Sequence, residues 1–216
     1  FLMVEIRTIC TDGSVPTHVP AVLLGDQLIY SKAMRPEVVQ PVCAACEAHG
    51  IEYILHGIRE VYLPEAYQHL RDFYESFHID TSSFQTEFDR RAVTTYKMEF
   101  LAPDEAAAAV YDGFMSDELT GMQDPFHRMN LELYARDETK GSGIIHALEH
   151  LSIPVENSFA FGDGVNDFEM METVGTGLVM GNAGAALKEK ADVLVPSVHE
   201  DGVAAGIRDY ILPAVV

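Results

Sequence analysis

Hydrophobic and polar positions follow two periods along the chain, and the changes of period divide it. Val4-Glu-Ile-Arg-Thr-Ile-Cys10, Ala21-Val-Leu-Leu24 and Gln27-Leu-Ile-Tyr30 are short β-like runs, parted by turn chemistry at Asp12-Gly-Ser14 and Gly25-Asp26. From Pro36 the period turns helical: Val38, Val42, Ala45 and Cys46 share a face, Gly50 is the expected stop, and Pro41 predicts a late start or a bend. Ile51–Leu55 and Arg59–Leu63 read as strands. Pro64–Phe77 reads as a helix with Tyr67, Leu70, Tyr74 and Phe77 on one stripe. Residues 78–90 are polar and irregular. Ala92–Leu101 alternates as a strand, Pro103–Phe114 is an Ala-rich helix with acids in its first turn, 116–128 is a loop or short strand, and Leu131–Ala135 is a further strand. The middle of the chain is therefore expected to be an α+β module.

The last third alternates helix and strand with short joins. Helices are expected at about 139–150, 166–173, 183–190 and 201–212, and strands at about 157–161, 176–180 and 192–195. That order predicts a parallel sheet with crossover helices. The expected fold class is α/β, with domains at 1–30 (the remnant of a core), 31–130 (the α+β module) and 131–216 (the rest of the core).

Composition narrows the function. The 216 residues carry a net charge of −20 and are 48% hydrophobic, an ordinary globular balance. No cluster of Lys and Arg offers a nucleic-acid surface, and the acidity disfavours anionic membranes. No nucleic-acid or membrane partner is expected, and no leader or apolar span is evident. Cys43-Ala-Ala-Cys46 has CxxC spacing, but it sits in an apolar helical pattern with no second ligand pair, so buried thiols are expected. Three cysteines without a disulfide framework suit a reducing cytoplasm. Oligomeric state is not written in the sequence.

Candidate chemistry gathers at Phe159-Ala-Phe-Gly-Asp-Gly-Val-Asn-Asp167, where an apolar run ends in two carboxylates. If the strand ends near Gly162, Asp163 and Asp167 lie in the strand-to-helix loop, where an α/β sheet places its ligands. Two close carboxylates need a cation, and Mg²⁺ takes one or two of them together with waters and a substrate phosphate. The plainer reading is a polar turn in which Asn166 or Asp167 caps the next helix. Lys140, in Asp137-Glu-Thr-Lys-Gly141, opens a helix whose N-terminus is already positive, which makes sense if an anion sits there. Asn182, in Val179-Met-Gly-Asn-Ala183, reads as a cap or a ligand contact, and capping suffices for Asp201.

These motifs in this order resemble the C-terminal half of the haloacid dehalogenase superfamily, and in particular its Cof-type phosphatases with a C2 cap. The matching residues are Leu131-Glu-Leu, Thr139-Lys140-Gly141, Phe161-Gly-Asp-Gly-Val-Asn-Asp-Phe-Glu-Met170, Val179-Met-Gly-Asn-Ala183, Ala191-Asp192 and Glu200-Asp-Gly-Val203. The resemblance implies a Rossmann-like core and a substrate-selecting cap. It implies Lys140 and Asp167 as catalytic, Lys140, Asn166 and Asn182 as contacts to a small phosphorylated substrate, and Asp163 and Asp167 as Mg²⁺ ligands. The family's Asp-x-Asp-Gly-Thr nucleophile motif is not found. Cys10-Thr-Asp12-Gly-Ser14 has only its second half, and Leu55-His-Gly-Ile-Arg59 resembles the second motif without its hydroxyl. Phe1-Leu-Met-Val also begins without an initiator Met, so a missing first portion of the core is expected. The expected activity is Mg²⁺-dependent hydrolysis of a phosphate ester through an aspartyl-phosphate, and this chain alone is expected to be inactive. A non-catalytic interaction module is the rival, and a mutase is disfavoured by the strand-rich middle. His56, Arg59, His127 and Arg128 are possible substrate contacts, each more simply read as a surface residue.

Overall fold

The computed structural model describes residues 10–11, 15–16, 21–24, 27–123, 129–136 and 139–214. They form two compact units, one holding the described residues among 22–30 and 139–214, the other those among 10–21 and 31–136. In chain order, β1 (Cys10–Thr11) pairs antiparallel with β2 (Val15–Pro16), and β3 (Ala21–Leu24) pairs with β4 (Gln27–Ser31). Asp12 and its neighbours Gly13 and Ser14 lie outside the described residues, as do His127 and Arg128.

The second unit is built on a five-stranded antiparallel sheet. Its elements are α1 (Pro36–His49), β5 (Glu52–His56), β6 (Val61–Tyr62), α2 (Gln68–Ser76), β7 (Lys97–Leu101), α3 (Glu105–Asp112), β8 (Leu119–Gln123) and β9 (Asn130–Ala135), with strand order β6-β5-β7-β9-β8. Helix α1 begins at Pro36 and carries Pro41 on its exposed side, so no late start occurs. It stops at Gly50, in the left-handed region at φ 66°. Val39, Val42, Cys43 and Cys46 pack with Tyr53, Leu55, Met98, Phe100 and Leu133 in the larger core. Both thiols are free and buried, as the apolar pattern predicts. Helix α2 starts later than expected, because residues 64–67 form a turn closed by the Tyr67 amide on the Pro64 carbonyl. The strand expected from Ala92 starts at Lys97.

Three expectations need correction here. The strand expected at Leu131–Ala135 falls within the expected 131–216 core, but the observed strand, Asn130–Ala135, pairs antiparallel with β7 and β8, inside this sheet. The boundary therefore falls near Thr139 rather than at residue 131. Leu55–Arg59 lies at the turn between β5 and β6, an antiparallel pair, so it is no second phosphatase motif on a parallel strand. His56 is wholly buried and is not a surface contact.

One sheet face of this unit carries buried charge. Glu99 on β7 stands directly opposite Glu132 on β9, an arrangement that repels. Lys97 resolves it: its Nζ lies 2.6 Å from Glu99 Oε1 and 3.0 Å from Glu132 Oε1. The Tyr74 hydroxyl, from α2, donates to Glu99 Oε2, and His56 Nε2 lies 3.3 Å from Glu99 Oε1. Burial pushes the Glu99 carboxyl up, but Lys97 and His56 outweigh it and hold the group well below the usual range.

The first unit is built on a parallel sheet in the order β10 (Phe159–Gly162), β11 (Thr176–Met180), β12 (Val193–Val195). Helix α4 (Lys140–Leu151) precedes it, α5 (Phe168–Thr173) and α6 (Ala185–Lys188) are the crossovers, and α7 (Gly202–Gly206) follows. Both sheet faces are apolar, as covered parallel strands require. Ala160 and Val179 pack with Met171 and Leu187 on one face; Leu178, Met180 and Val195 pack with Phe159 and Phe161 on the other. The last helix, expected at about 201–212, is present; within it α7 gives way to a π-helical stretch at Ile207–Ile211.

Lys97→Met should cost about 3–5 kcal/mol at neutral pH, because it leaves two facing carboxylates without their cation. Urea unfolding measures it, and a loss under about 1 kcal/mol would refute the role given to Lys97. Because the Glu99 value is lowered on folding, its contribution is complete above the ordinary carboxylate value of 4.5 and is lost as pH falls below it.

Candidate active site

The loop after β10 is shaped around Asp167. This residue ends a single 3₁₀ turn, Val165–Asp167, and turns its side chain back into the loop. Asp167 Oδ2 accepts the backbone N–H groups of Asp163 and Gly164, both at 3.0 Å. Asp167 Oδ1 accepts the Lys140 ammonium. Only 6% of the Asp167 side chain is exposed, so three donors satisfy a carboxylate that water barely reaches. Burial alone would raise its pKa; Lys140 and the two amides outweigh burial and hold it below the usual value.

Lys140 reaches this acid because α4 and α5 approach closely. Thr139 caps α4, its Oγ1 accepting the Ser142 amide at 3.2 Å while its own amide donates to Ser142 Oγ at 3.0 Å. Lys140 is then the first helical residue, where a cation is electrostatically misplaced. The chain supplies the anion that the sequence pattern called for: it is Asp167. Gly141 permits the approach, since a Cβ there would lie 2.6 Å from Thr173 Oγ1 and 3.0 Å from the Glu169 carbonyl oxygen. Gly162 does the same for Asp167, since its Cβ would meet Asp167 Cβ at 2.9 Å.

Asp163 has the opposite setting. It is exposed at the mouth of the loop, and its Oδ2 accepts Asn182 Nδ2 at 3.0 Å. Asn182 is not the helix cap expected of it, because Gly184 holds that position for α6. Its Oδ1 instead accepts the Val198 amide at 3.0 Å. Asp201 likewise caps nothing with its side chain; it sits at φ 55°, while Ser197 and Glu200 cap the preceding turn. The side chain of Asn166 lies outside the described residues.

A hard divalent cation such as Mg²⁺ suits this donor set in part. Asp163 offers an exposed carboxylate that, among the described residues, is held by Asn182 on one oxygen. Both oxygens of Asp167 are taken by the chain's own donors, so the expected metal role of Asp167 does not fit this geometry. Among the described residues no group of three acidic, His or Cys side chains could hold a metal by itself. No helix among them is long and apolar enough to cross a membrane.

An ammonium and an exposed acid thus stand together in the loop at the C-terminal end of a parallel strand, the edge at which open α/β sheets place their ligands. Comparison with known proteins shows the family. The sequence model of the haloacid dehalogenase-like hydrolases matches residues 5–207. The chain belongs to that family. It is 39% identical over 84 residues to a putative phosphatase, YkrA, of Bacillus subtilis, a match covering 39% of this chain and 33% of that protein. It therefore spans about a third of that relative's length. Among solved structures, a hypothetical protein from Geobacillus kaustophilus superposes with a TM-score of 0.79 at 22% identity, over 89% of this chain and 74% of that one. A subclass IIB sugar phosphatase of the superfamily gives 0.70 at 23% identity, over 90% and 74%. At these identities the two structures speak for the fold: an α/β core with a further α+β unit.

The structure brings Lys140, Asp163 and Asp167 together, while nothing in the sequence reading pointed to Val198. A backbone donor carries no residue signature; only the Ser197-x-x-Glu200 pattern marks the turn that presents it.

Asp167→Ala should destabilise the first unit by about 3 kcal/mol at pH 7, since it strands an ammonium and two amides. Because folding lowers the Asp167 value, the gap between wild type and variant should close as pH falls below the ordinary value of 3.8. Denaturant melts across pH test both, and a gap that persists at low pH contradicts the assignment.

Proposed function

We propose that the protein of which this chain is part hydrolyses a small phosphate monoester with Mg²⁺ through an aspartyl-phosphate intermediate. The observation that carries the proposal is the shared carboxylate of Asp167, which fixes the Lys140 ammonium and the Asp163–Gly164 amides around one point. In this reading Lys140 touches the phosphoryl oxygens and offsets the charge that develops on them. Its side chain is 30% exposed, open enough for a ligand to reach. Asp167 is a positioning residue that holds Lys140 and the loop. Asp163 is this chain's metal ligand, and Mg²⁺ when bound would supply further charge compensation at the phosphoryl oxygens. Asn166 is retained as a contact to the substrate phosphate on the strength of the resemblance.

The attacking carboxylate is proposed to come from an aspartate outside the 216 residues, since no Asp-x-Asp pattern occurs among them. That carboxylate attacks phosphorus, the alcohol leaves, and water hydrolyses the acyl phosphate. The five-stranded unit is proposed as the cap that selects the substrate. A sugar phosphate is the substrate class favoured, on the fold shared with the sugar phosphatase. A cytoplasmic setting is proposed from the buried free thiols.

The test is a screen of phosphate esters with and without Mg²⁺, on the protein read from its whole reading frame. Asp163→Asn and Lys140→Ala should each lower kcat/KM by roughly 100-fold or more. Wild-type turnover that ignores Mg²⁺, or either variant at full activity, would defeat the proposal. The 216-residue chain by itself should release no phosphate.

A further inference from the structure

Asp163 is held by a neighbour that is itself held. Asn182, in the loop after β11, donates to Asp163 Oδ2 at 3.0 Å and accepts the Val198 amide on its Oδ1 at 3.0 Å. An amide side chain with one end on a carboxylate and the other on a backbone N–H has its orientation fixed. The flip that exchanges its oxygen and nitrogen would break both bonds. Val198 belongs to a turn that is locked in its own right: the Glu200 carboxylate accepts the Ser197 amide at 3.2 Å and the Ser197 hydroxyl at 2.6 Å. The backbones of the two loops are also in contact. The Gly181 amide donates to the Pro196 carbonyl at 3.3 Å, and a Cβ on Gly181 would lie 2.8 Å from the Ser197 amide nitrogen. A continuous line of contacts therefore runs from Glu200 through Ser197, Val198 and Asn182 to Asp163.

We propose that Asn182 is a positioning residue that aims Asp163, and that the Ser197–Glu200 turn is its anchor. The substrate contact expected of Asn182 is replaced by this role. The proposal rests on the reading of Asp163 as a metal ligand. An exposed carboxylate samples several rotamers, and a ligand that must first be ordered binds its metal more weakly. Partners behind a ligand commonly contribute 10- to 100-fold to metal affinity.

Val198 offers a clean way to test the anchor. It is exposed and opens a 3₁₀ turn, the position at which proline is tolerated. Ser197 before it is extended, at φ −69° and ψ 167°, as a residue preceding proline must be. Val198→Pro therefore deletes the amide donor while leaving the turn its conformation.

The experiment measures binding of Mn²⁺ alone to the protein read from its whole reading frame, by paramagnetic resonance of the free ion, with circular dichroism confirming the fold of each variant. Asp163→Asn should abolish specific binding. Asn182→Ala should weaken it roughly 10-fold, and Val198→Pro by a smaller factor in the same direction. If wild type and Asp163→Asn bind alike, or wild type does not bind, the metal reading itself fails and takes the proposal with it. If Asp163→Asn loses the ion but Asn182→Ala keeps wild-type affinity, the positioning role alone is overturned. Full affinity in Val198→Pro with weakened binding in Asn182→Ala overturns the anchor.

Discussion

The Asp167 carboxylate is buried, and a buried charge must be met by donors or it does not stay charged. Three donors meet it, and each comes with a constraint on the chain. The Lys140 ammonium requires the start of α4 to lie beside the loop after β10. The amides of Asp163 and Gly164 require that loop to fold back on itself within four residues. Gly141 and Gly162 have no side chain because one would fill the space through which these groups approach. Removing the carboxylate would therefore release the helix start and the loop together.

Two aspartates four residues apart thus end with different work, and environment rather than residue type divides it. Asp167 is saturated by the chain and faces inward. Asp163 is exposed and gripped from one side, which leaves it lone pairs to give to a cation. The lysine shows the same logic. Its place at a helix N-terminus is unfavourable in isolation, and the neighbouring anion turns it into a fixed, partly open charge. The second unit repeats the device in its sheet: Glu99 and Glu132 face each other, and Lys97 makes the pair tolerable.

Much of this was legible in the sequence because periodicity reports burial. The three parallel strands and the helices between them were placed within a few residues, since each strand is apolar on both faces and each join carries Gly, Asn or Asp. Strand β9 was misassigned for a physical reason. An alternating run shows that a strand has two unlike faces but does not say which strand it pairs with, and pairing alone puts Asn130–Ala135 in the five-stranded sheet. Asp163, Asp167 and Lys140 were legible as a group. Their division of labour was not, because it depends on which carboxylate oxygens the backbone occupies. Asn182 read as a cap because Asn before a helix usually is one; here Gly184 intervenes and the side chain turns across to the neighbouring loop.

The site is consequently a property of three successive strand ends. The loop after β10 carries Asp163, the loop after β11 carries Asn182, and the turn after β12 carries the Val198 amide. In a parallel sheet with right-handed crossovers these ends fall on the same edge, so adjacent loops are available to brace one another. An antiparallel sheet would send alternate strand ends to opposite edges and could not align three consecutive loops this way. The brace also explains why the β12 turn is capped so tightly by Glu200 although it contributes no side chain to Asp163. A support is only as stiff as its last fixed point, and here that point lies two strands away from the acid it serves.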